Sequence, residues 1–414
     1  MDLENSYNSP DGRVNIQPDS GILARIMDYQ FFGPTQIVFG WGRRTELGRL
    51  AAENGERVFL VSGSRTLEQR GVIDDVTRRI EQLGLTLQRF SPASHEPEVA
   101  DVDSLVTEFL RFQPTTRDVV VAIGGGSTID LAKAAAALVR NRHGNSVVEF
   151  LEGVGTGRQI TERPLNLIAV PTTAGTGTEV TKNAVISSYD PAFKKSLRSD
   201  WMIPKVVLVD PELTVSLPSE TTAFTGMDAI TQLIESFISK RAAPIPQALA
   251  LSGLKLALPA LPIAVRDGTS QTSREAMSHA ALLSGLALAN SGLGLAHGVA
   301  AALGVHCRVA HGLACATMLP TALRVNQQVR AKELAQLERL FDHQSHSDAD
   351  SAAAFVRRIE ILCEEIGIPR RLRDIGVTSN QIPALIGSSR GNSMSGNPRD
   401  VSDDELLSIL QQLW

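Results

Sequence analysis

The stretch Asp118-Val-Val-Val-Ala-Ile-Gly-Gly-Gly-Ser-Thr-Ile-Asp-Leu-Ala-Lys133 decides the fold of this chain. Its apolar run lacks the alternation of a half-exposed strand and predicts a buried strand of a parallel sheet. A glycine-rich turn follows, and a helix is predicted to begin there, so backbone N–H groups can face an anion. We predict that Gly124, Gly125, Gly126 and Ser127 bind the pyrophosphate of a dinucleotide. The spacing matches neither G-x-G-x-x-G nor the Walker pattern, and a plain tight turn is the alternative.

Short apolar runs and helical segments alternate on both sides of this stretch, which is typical of an α/β fold with a mostly parallel sheet. The other predicted strands are 36–39, 57–62, 165–170 and 205–210, and the predicted helices between them include 72–84 and 131–140.

Beyond Pro211 the strand pattern stops and only helical periodicity remains. The predicted helices are 221–239, 247–261, 274–290, 295–303, 311–326, 331–341, 352–366 and 403–413, with Pro218, Pro244, Pro246, Pro320 and Pro369 interpreted as their boundaries. We therefore predict a flexible extension over 1–28, an α/β dinucleotide-binding domain over 29–212 and an all-helical domain over 213–414.

Composition narrows the class of protein. The chain has 414 residues, with 40 Lys and Arg against 45 Asp and Glu and a formal net charge of −5, which argues against a nucleic-acid-binding protein. We expect no apolar run of the length of a membrane span, because polar residues interrupt every hydrophobic stretch, and residues 1–28 lack the apolar core of a secretory signal. The three cysteines form no C-x-x-C pair, so a disulfide framework is not expected. We expect a cytoplasmic enzyme.

A second polar stretch, Val170-Pro-Thr-Thr-Ala-Gly-Thr-Gly-Thr-Glu-Val-Thr181, follows the next predicted strand. Ligands of open α/β sheets bind at the carboxyl ends of the strands. We predict that Thr172, Thr173 and Thr176 contact the same nucleotide as the triple glycine; a solvated loop is the alternative.

Candidate metal ligands lie in the helical half. Asp228 and Gln232 are four residues apart and share one helix face, and His297 and His311 follow, with Gly304 expected to separate them onto different elements. A carboxylate and two imidazoles can hold Fe(II) or Zn(II). Spacing alone does not bring Asp228 to His297, so ordinary hydrogen-bonded histidines are the alternative.

These segments together resemble the iron-containing (group III) alcohol dehydrogenase family. The resemblance extends from Phe31 to Trp414 and rests on motifs that occur in the same order: the 124–127 turn, Pro171-Thr-Thr-Ala-Gly-Thr176, Thr225-Gly-Met-Asp-Ala229, Gly292-Leu-Gly-Leu-Ala-His297-Gly298, His311-Gly312 and Gly396-Asn-Pro-Arg399. It implies a two-domain architecture like that of dehydroquinate synthase, with a nicotinamide cofactor between the domains and one divalent metal in the helical domain. We also expect a homodimer.

The family usually holds its metal through one aspartate and three histidines. Asp228, His297 and His311 fall on three of these positions, but the fourth is Gln232, a weaker neutral ligand. Another frequent family histidine, which would face the nicotinamide and substrate, is Ala301 here. These departures are compatible with a bulky, functionalised or anionic aldehyde but specify none.

The resemblance also bears on the cofactor. Many NAD-dependent members place an acidic residue after the second strand, where this chain has Gly63. Without that carboxylate, Ser62, Ser64 and Arg65 could hold a 2′-phosphate, so NADP(H) is favoured over NAD(H); a glycine that only shapes the turn, with NAD(H) retained, is the alternative. Lys195 resembles a family lysine near the cofactor.

The resulting hypothesis is an NAD(P)-dependent oxidoreductase that interconverts an alcohol and an aldehyde or ketone, with a divalent metal polarising the substrate oxygen. No catalytic acid or base is assigned, because position 301 is alanine; a relay through a cofactor ribose hydroxyl and water is expected, with His306 as an alternative. Three competing hypotheses remain: a metal-free reductase of the maleylacetate reductase kind, a lyase related to dehydroquinate synthase, and an inactive binding protein.

Overall fold

The structure is a computed structural model that describes residues 29–92, 95–344 and 346–414. Residues 32–414 form one compact unit. The extension predicted over 1–28 lies outside the described residues.

A six-stranded sheet lies at the centre of the N-terminal half, and every adjacent pair in it is parallel. Its strands occur in the spatial order β1-β8-β5-β4-β2-β3, so the strand that precedes the triple glycine is central and wholly buried. A two-stranded antiparallel hairpin, β6–β7, is separate from it. The strands are β1 Gln36–Phe39, β2 Arg57–Ser62, β3 Thr86–Phe90, β4 Asp118–Gly124, β5 Asn166–Pro171, β6 Asn183–Tyr189, β7 Ala192–Arg198 and β8 Val206–Val209.

Helices cover the sheet. They are α1 Leu47–Asn54, α2 Arg65–Gln69, α3 Val72–Glu81, α4 Val99–Leu110 and α5 Gly126–Leu138. Helix α5 is almost entirely buried from Thr128 to Leu138, and its alanines allow close approach to the sheet and to α4. This burial fixes the start of the helix, Gly126, directly after the central strand.

Only helices and short 3-10 turns follow β8 in the described part of the chain. The helices are α6 Ser219–Ile238, α7 Pro244–Arg266, α8 Gln271–Ala289, α9 Leu295–Cys307, α10 His311–Asn326, α11 Ala331–Glu338, α12 Asp348–Glu365, α13 Ile382–Ser388 and α14 Asp403–Leu413. Together with the parallel sheet, they confirm the predicted succession of an α/β half and a helical half.

Two predicted helix boundaries are wrong. Gly304 does not separate the two histidines, because α9 runs through it to Cys307; the chain instead turns at Arg308, which has a left-handed φ of 58°. Pro320 lies inside α10 rather than at its end. A proline within a long helix is tolerated where packing on neighbouring helices stabilises the whole element.

Helix α7 alone among the described residues is long and apolar enough to span a membrane, so the expectation that no apolar run reaches this length is wrong. It contains Pro259 and Pro262. One face packs against α6 and α8 and contributes Leu254 and Leu261 to the core of the helical half. These contacts make α7 a core helix of this domain.

Candidate active site

The triple glycine and the threonine-rich stretch lie side by side at one edge of the sheet. Strands β4 and β5 are neighbours, with Gly124 in register with Pro171. The Thr172 N–H donates to the Gly124 carbonyl over 2.9 Å and continues this pairing past the strand end. Two stretches predicted separately therefore form one surface at the carboxyl edge.

The three glycines of the turn have different surroundings. A Cβ at Gly124 would overlap Thr128, and one at Gly126 would lie 2.7 Å from Thr176 Oγ1. A Cβ at Gly125 would meet only Thr173, 3.4 Å from its Cγ2. Gly125 has a φ of −73°, so no left-handed conformation requires glycine there. Its missing side chain leaves space beside Thr173, where the turn faces the start of α5.

A buried lysine holds the threonine-rich loop in place through hydrogen bonds. Lys133 Nζ donates to the hydroxyl groups of Thr178 and Thr181 over 2.9 Å and 3.0 Å and pairs with Asp130 at 3.1 Å. These contacts fix the loop that carries Thr172, Thr173 and Thr176 to α5. Glu179, in the same loop, is also buried, and its burial raises the pKa of its carboxyl to about 7.

We expect Glu179→Gln to remove a pH dependence of stability. The pKa of this carboxyl is about 7 in the folded protein, against an ordinary value of 4.5. Its contribution to the free energy of unfolding therefore decreases as the pH rises from 4.5 to 7. The loss corresponds to roughly 3 kcal/mol by pH 7.5. The variant should therefore gain thermal stability relative to the native protein between pH 5 and pH 7.5. Melting temperatures across this range measure it, with Glu81→Gln, an exposed carboxyl on α3, as control; parallel pH profiles for native protein and Glu179→Gln would contradict it.

The groups predicted around a 2′-phosphate are only partly available. The Ser62 hydroxyl is buried and donates to Glu68 Oε1 over 3.0 Å, and the Ser64 hydroxyl accepts from Leu67 N as the cap of α2. A Cβ at Gly63 would overlap Thr128, so this glycine has a packing role as well. Arg65 is exposed at the start of α2 and is the cation that remains available.

The carboxyl edge of the sheet directly meets the helical half. A Cβ at Gly175 would lie 2.7 Å from the Thr225 carbonyl oxygen of α6, so only glycine permits this approach. One residue further on, the Thr176 carbonyl accepts a hydrogen bond from Gln232 Nε2 over 3.3 Å. The candidate phosphate surface and the candidate metal ligands are therefore adjacent.

The ligand-type side chains of the helical half converge on one point. One atom each from Asp228, His297, His311 and Cys315 lies within 4.8 Å of all the others. His297 Nε2 is 3.1 Å from Asp228 Oδ1, and His311 Nε2 is 3.9 Å from the same oxygen. Three helices, α6, α9 and α10, bring these groups together, and the donor set of carboxylate, imidazoles and thiol fits a divalent transition metal.

Glu235 orients His297. Its Oε2 lies 2.7 Å from His297 Nδ1, and its Oε1 accepts from the Ala296 N–H over 2.8 Å. Asn397, in the motif Gly396-Asn-Pro-Arg399, accepts from the preceding N–H at the start of α9, that of Leu295, over 3.1 Å. Both contacts satisfy free N–H groups at a buried helix start. A carboxylate on Nδ1 leaves Nε2 to face Asp228, the arrangement found behind metal-binding histidines.

Electrostatics favour an ionic cluster. Burial disfavours the charged form of His297, but Cys315, Asp228 and Glu235 outweigh this effect and raise the pKa of His297 well above its ordinary value. Burial likewise raises the pKa of the Cys315 thiol, yet His297 and His311 hold it below its usual range. The pKa of Asp228 is also lowered, because the imidazoles outweigh its burial. Positive charge is therefore stabilised among these four side chains.

Gln232 and the other sequence candidates lie around this cluster in different ways. Gln232 Oε1 accepts from Ser284 Oγ over 2.7 Å, so its amide oxygen points to α8. Ala301 is half-buried one turn after His297. His306 lies at the far end of α9, where its Nε2 contacts Ser388 Oγ at 2.7 Å. This contact places His306 away from the cluster.

The two neighbouring lysines of the β6–β7 hairpin lie on opposite faces of β7. Lys194 Nζ is 2.7 Å from Glu96 Oε1. Burial and the charge of Lys194 oppose protonation of His311, but Cys315 and Asp228 outweigh them and raise the pKa of His311 above its ordinary value. Lys195 lies on the opposite face of the strand with Phe193 and Leu197, which pack on the N-terminal core. Lys194 is thus the lysine on the side of the histidines.

Comparison with known proteins identifies both halves of the chain. The model of the iron-containing alcohol dehydrogenases matches residues 34–211, and that of the Fe-containing alcohol dehydrogenase family, C-terminal, matches 222–414. The chain is 32% identical to the 1,3-propanediol dehydrogenase of Klebsiella pneumoniae over 402 residues, which cover 94% of this chain and 99% of that protein.

Solved structures agree over the same length. A crystal structure of 1,3-propanediol oxidoreductase superposes with a TM-score of 0.87 at 29% identity and covers 94% of this chain and 100% of the other. Sulfoacetaldehyde reductase from Bifidobacterium kashiwanohense, in complex with NAD+, gives 0.83 at 30% identity, with 94% and 99% covered. The chain belongs to the iron-containing alcohol dehydrogenase family and is an oxidoreductase that acts on alcohols and aldehydes.

Proposed function

We propose that this enzyme binds its nicotinamide cofactor along the surface formed by the 124–127 turn and Thr172, Thr173 and Thr176. The N-terminus of α5 supplies N–H groups and positive potential for the pyrophosphate. The threonine hydroxyls lie on the adjoining strand end, and the loop is held by Lys133. The observation that supports this proposal most is the open space at Gly125, beside which both predicted stretches meet.

The metal dependence of the reaction is also a proposal. Asp228, His297 and His311 would hold one divalent metal, Fe(II) or Zn(II), with Gln232 beside them. When bound, this metal supplies a Lewis acid that polarises the oxygen of the substrate. The convergence of ligand-type atoms on one point favours this function over a metal-free reductase.

Residues of the chain would orient the metal ligands relative to the cofactor. Glu235 holds His297 in place. The contact between Gln232 and Thr176 joins α6 to the threonine-rich loop. No side chain described around the cluster is a free general base, so we retain the relay of the proton through a ribose hydroxyl and water. Turnover of a panel of aldehydes, including anionic ones, with NADPH and NADH tests this function; no turnover with any of them would contradict it.

For the cofactor we propose a preference for NADP(H) over NAD(H), supported by the exposed Arg65 and the absence of a carboxylate at position 63. We expect Arg65→Ala to lower the ratio of kcat/KM for NADPH to that for NADH by about ten- to a hundredfold, the effect of one charge-assisted hydrogen bond. Arg78→Ala, which removes an exposed arginine of α3, is the control. An unchanged ratio, or preference for NADH in the native enzyme, would show that Arg65 binds no 2′-phosphate.

The remaining proposals concern organisation. We propose a small-molecule enzyme of the cytoplasm that forms a homodimer, with domains over 29–212 and 213–414. The α/β elements end at Val209 and the long helices begin at Ser219, which supports this division. Light scattering of the purified protein tests the dimer.

A further inference from the structure

We infer that Cys315 is a protein ligand of the metal site, a thiolate that replaces the histidine missing at position 232. The inference rests on the proposed metal dependence. Cys315 Sγ belongs to the cluster whose four ligand-type atoms lie within 4.8 Å, and it is 3.7 Å from His311 Nε2. Ligands of a tetrahedral zinc site with these donors are about 3.3–3.6 Å apart, so small side-chain adjustments complete the geometry.

The local sequence explains why the thiol reaches the site. His311 and Cys315 are four residues apart on α10 and therefore share the face turned towards α6 and α9. The Cys315 side chain is fully buried, and its recorded polar neighbours are members of the cluster. Cys363, the other buried cysteine, lies instead among apolar side chains, and burial raises the pKa of its thiol to about 12.

Gln232 is a poor substitute for the missing histidine in this arrangement. A backbone carbonyl can only accept, so the contact with Thr176 assigns Nε2 to that side and leaves Oε1 to Ser284. An amide NH2 offers no lone pair to a metal. The amide oxygen would have to leave Ser284 before it could coordinate, whereas the thiol already faces the cluster.

Thiolate ligation changes the chemistry of the site. Together with Asp228 it supplies two negative charges, which balance a divalent cation, and the thiol proton is released when the metal binds. Thiolate donors favour Zn(II), which also stands above Fe(II) in the general order of affinity. The native enzyme should therefore bind Zn(II) more tightly than Fe(II) in competition.

Cobalt substitution tests the inference without reliance on activity. The protein, freed of metal and loaded with one equivalent of Co(II), should show a thiolate-to-cobalt charge-transfer band in the near ultraviolet. Cys315→Ala should lose this band and bind Co(II) at least about tenfold more weakly, since loss of even an outer-shell partner costs that much. The matched control Cys363→Ala should retain both.

A second variant separates ligation from packing. Gln232→His in the Cys315→Ala background restores the family histidine, and it should recover Co(II) affinity without the charge-transfer band. Stoichiometric Co(II) with no band in the native protein, or an unchanged band in Cys315→Ala, would overturn thiolate ligation while the metal site stands. Failure of the native protein to bind Co(II) at all would overturn both the inference and the proposed metal dependence.

Discussion

Gly125→Val is expected to weaken cofactor binding severely while the protein stays folded. The φ of −73° and extended ψ at this position are accessible to valine, and a Cβ there has one neighbour, the Thr173 side chain at 3.4 Å. The γ-methyl groups would instead fill the space at the N-terminus of α5 that we assign to the pyrophosphate. Loss of the phosphate contacts should weaken dinucleotide binding by about a hundredfold or more, the effect of two charge-assisted hydrogen bonds.

The choice among the three glycines makes this test specific. Valine at Gly124 or Gly126 would strike Thr128 or Thr176, so loss of binding there could follow from a distorted turn. Titration of Gly125→Val with NADPH and NADH, monitored by nicotinamide fluorescence, measures the effect, and circular dichroism checks the fold. Gly387→Val, at an open position on α13, is the control. Native affinity in a folded Gly125→Val would mean that the turn is structural only.

The strands predicted from sequence are those with an apolar run at their centre. Strands β2, β4, β5 and β8 each have a buried apolar centre because helices or neighbouring strands cover them on both sides, so each is visible as a continuous run. Strand β3 was missed because it is an edge strand with exposed polar residues. The β6–β7 hairpin was missed for a related reason, since its residues are mostly half-buried and include two lysines.

The site was predictable only where its parts share one element. Asp228 and Gln232 on one helix face follow from spacing, and so do Glu235, seven residues after Asp228, and Cys315, four after His311. Spacing alone does not identify Glu235 and Cys315 as site residues, because an acid or a thiol at such a position is equally common in a helix with no site. A helix that carries site residues differs from one that does not because α6, α9 and α10 converge here. This convergence depends on packing between helices, which no local sequence pattern encodes.

Removal of either imidazole is expected to weaken metal retention and lower turnover together. His297→Ala deletes the nitrogen nearest to Asp228 and also leaves Glu235 buried without its partner, so some loss of stability is expected as well. His311→Ala is the milder variant, because His311 is partly exposed and its Nδ1 has no hydrogen-bond partner among the described residues that would be left unsatisfied.

For both variants we expect the metal content to fall well below one equivalent and kcat/KM to fall on the order of 1,000-fold or more, because Lewis-acid stabilisation contributes several kcal/mol. His279→Ala, which removes a half-buried histidine that packs edge-on against Phe39, should retain both. Elemental analysis and steady-state rates on the same samples decide the outcome. If His311→Ala is folded and free of metal but turns over substrate at the native rate, the reaction needs only the cofactor and protein side chains. That result would favour the metal-free reductase.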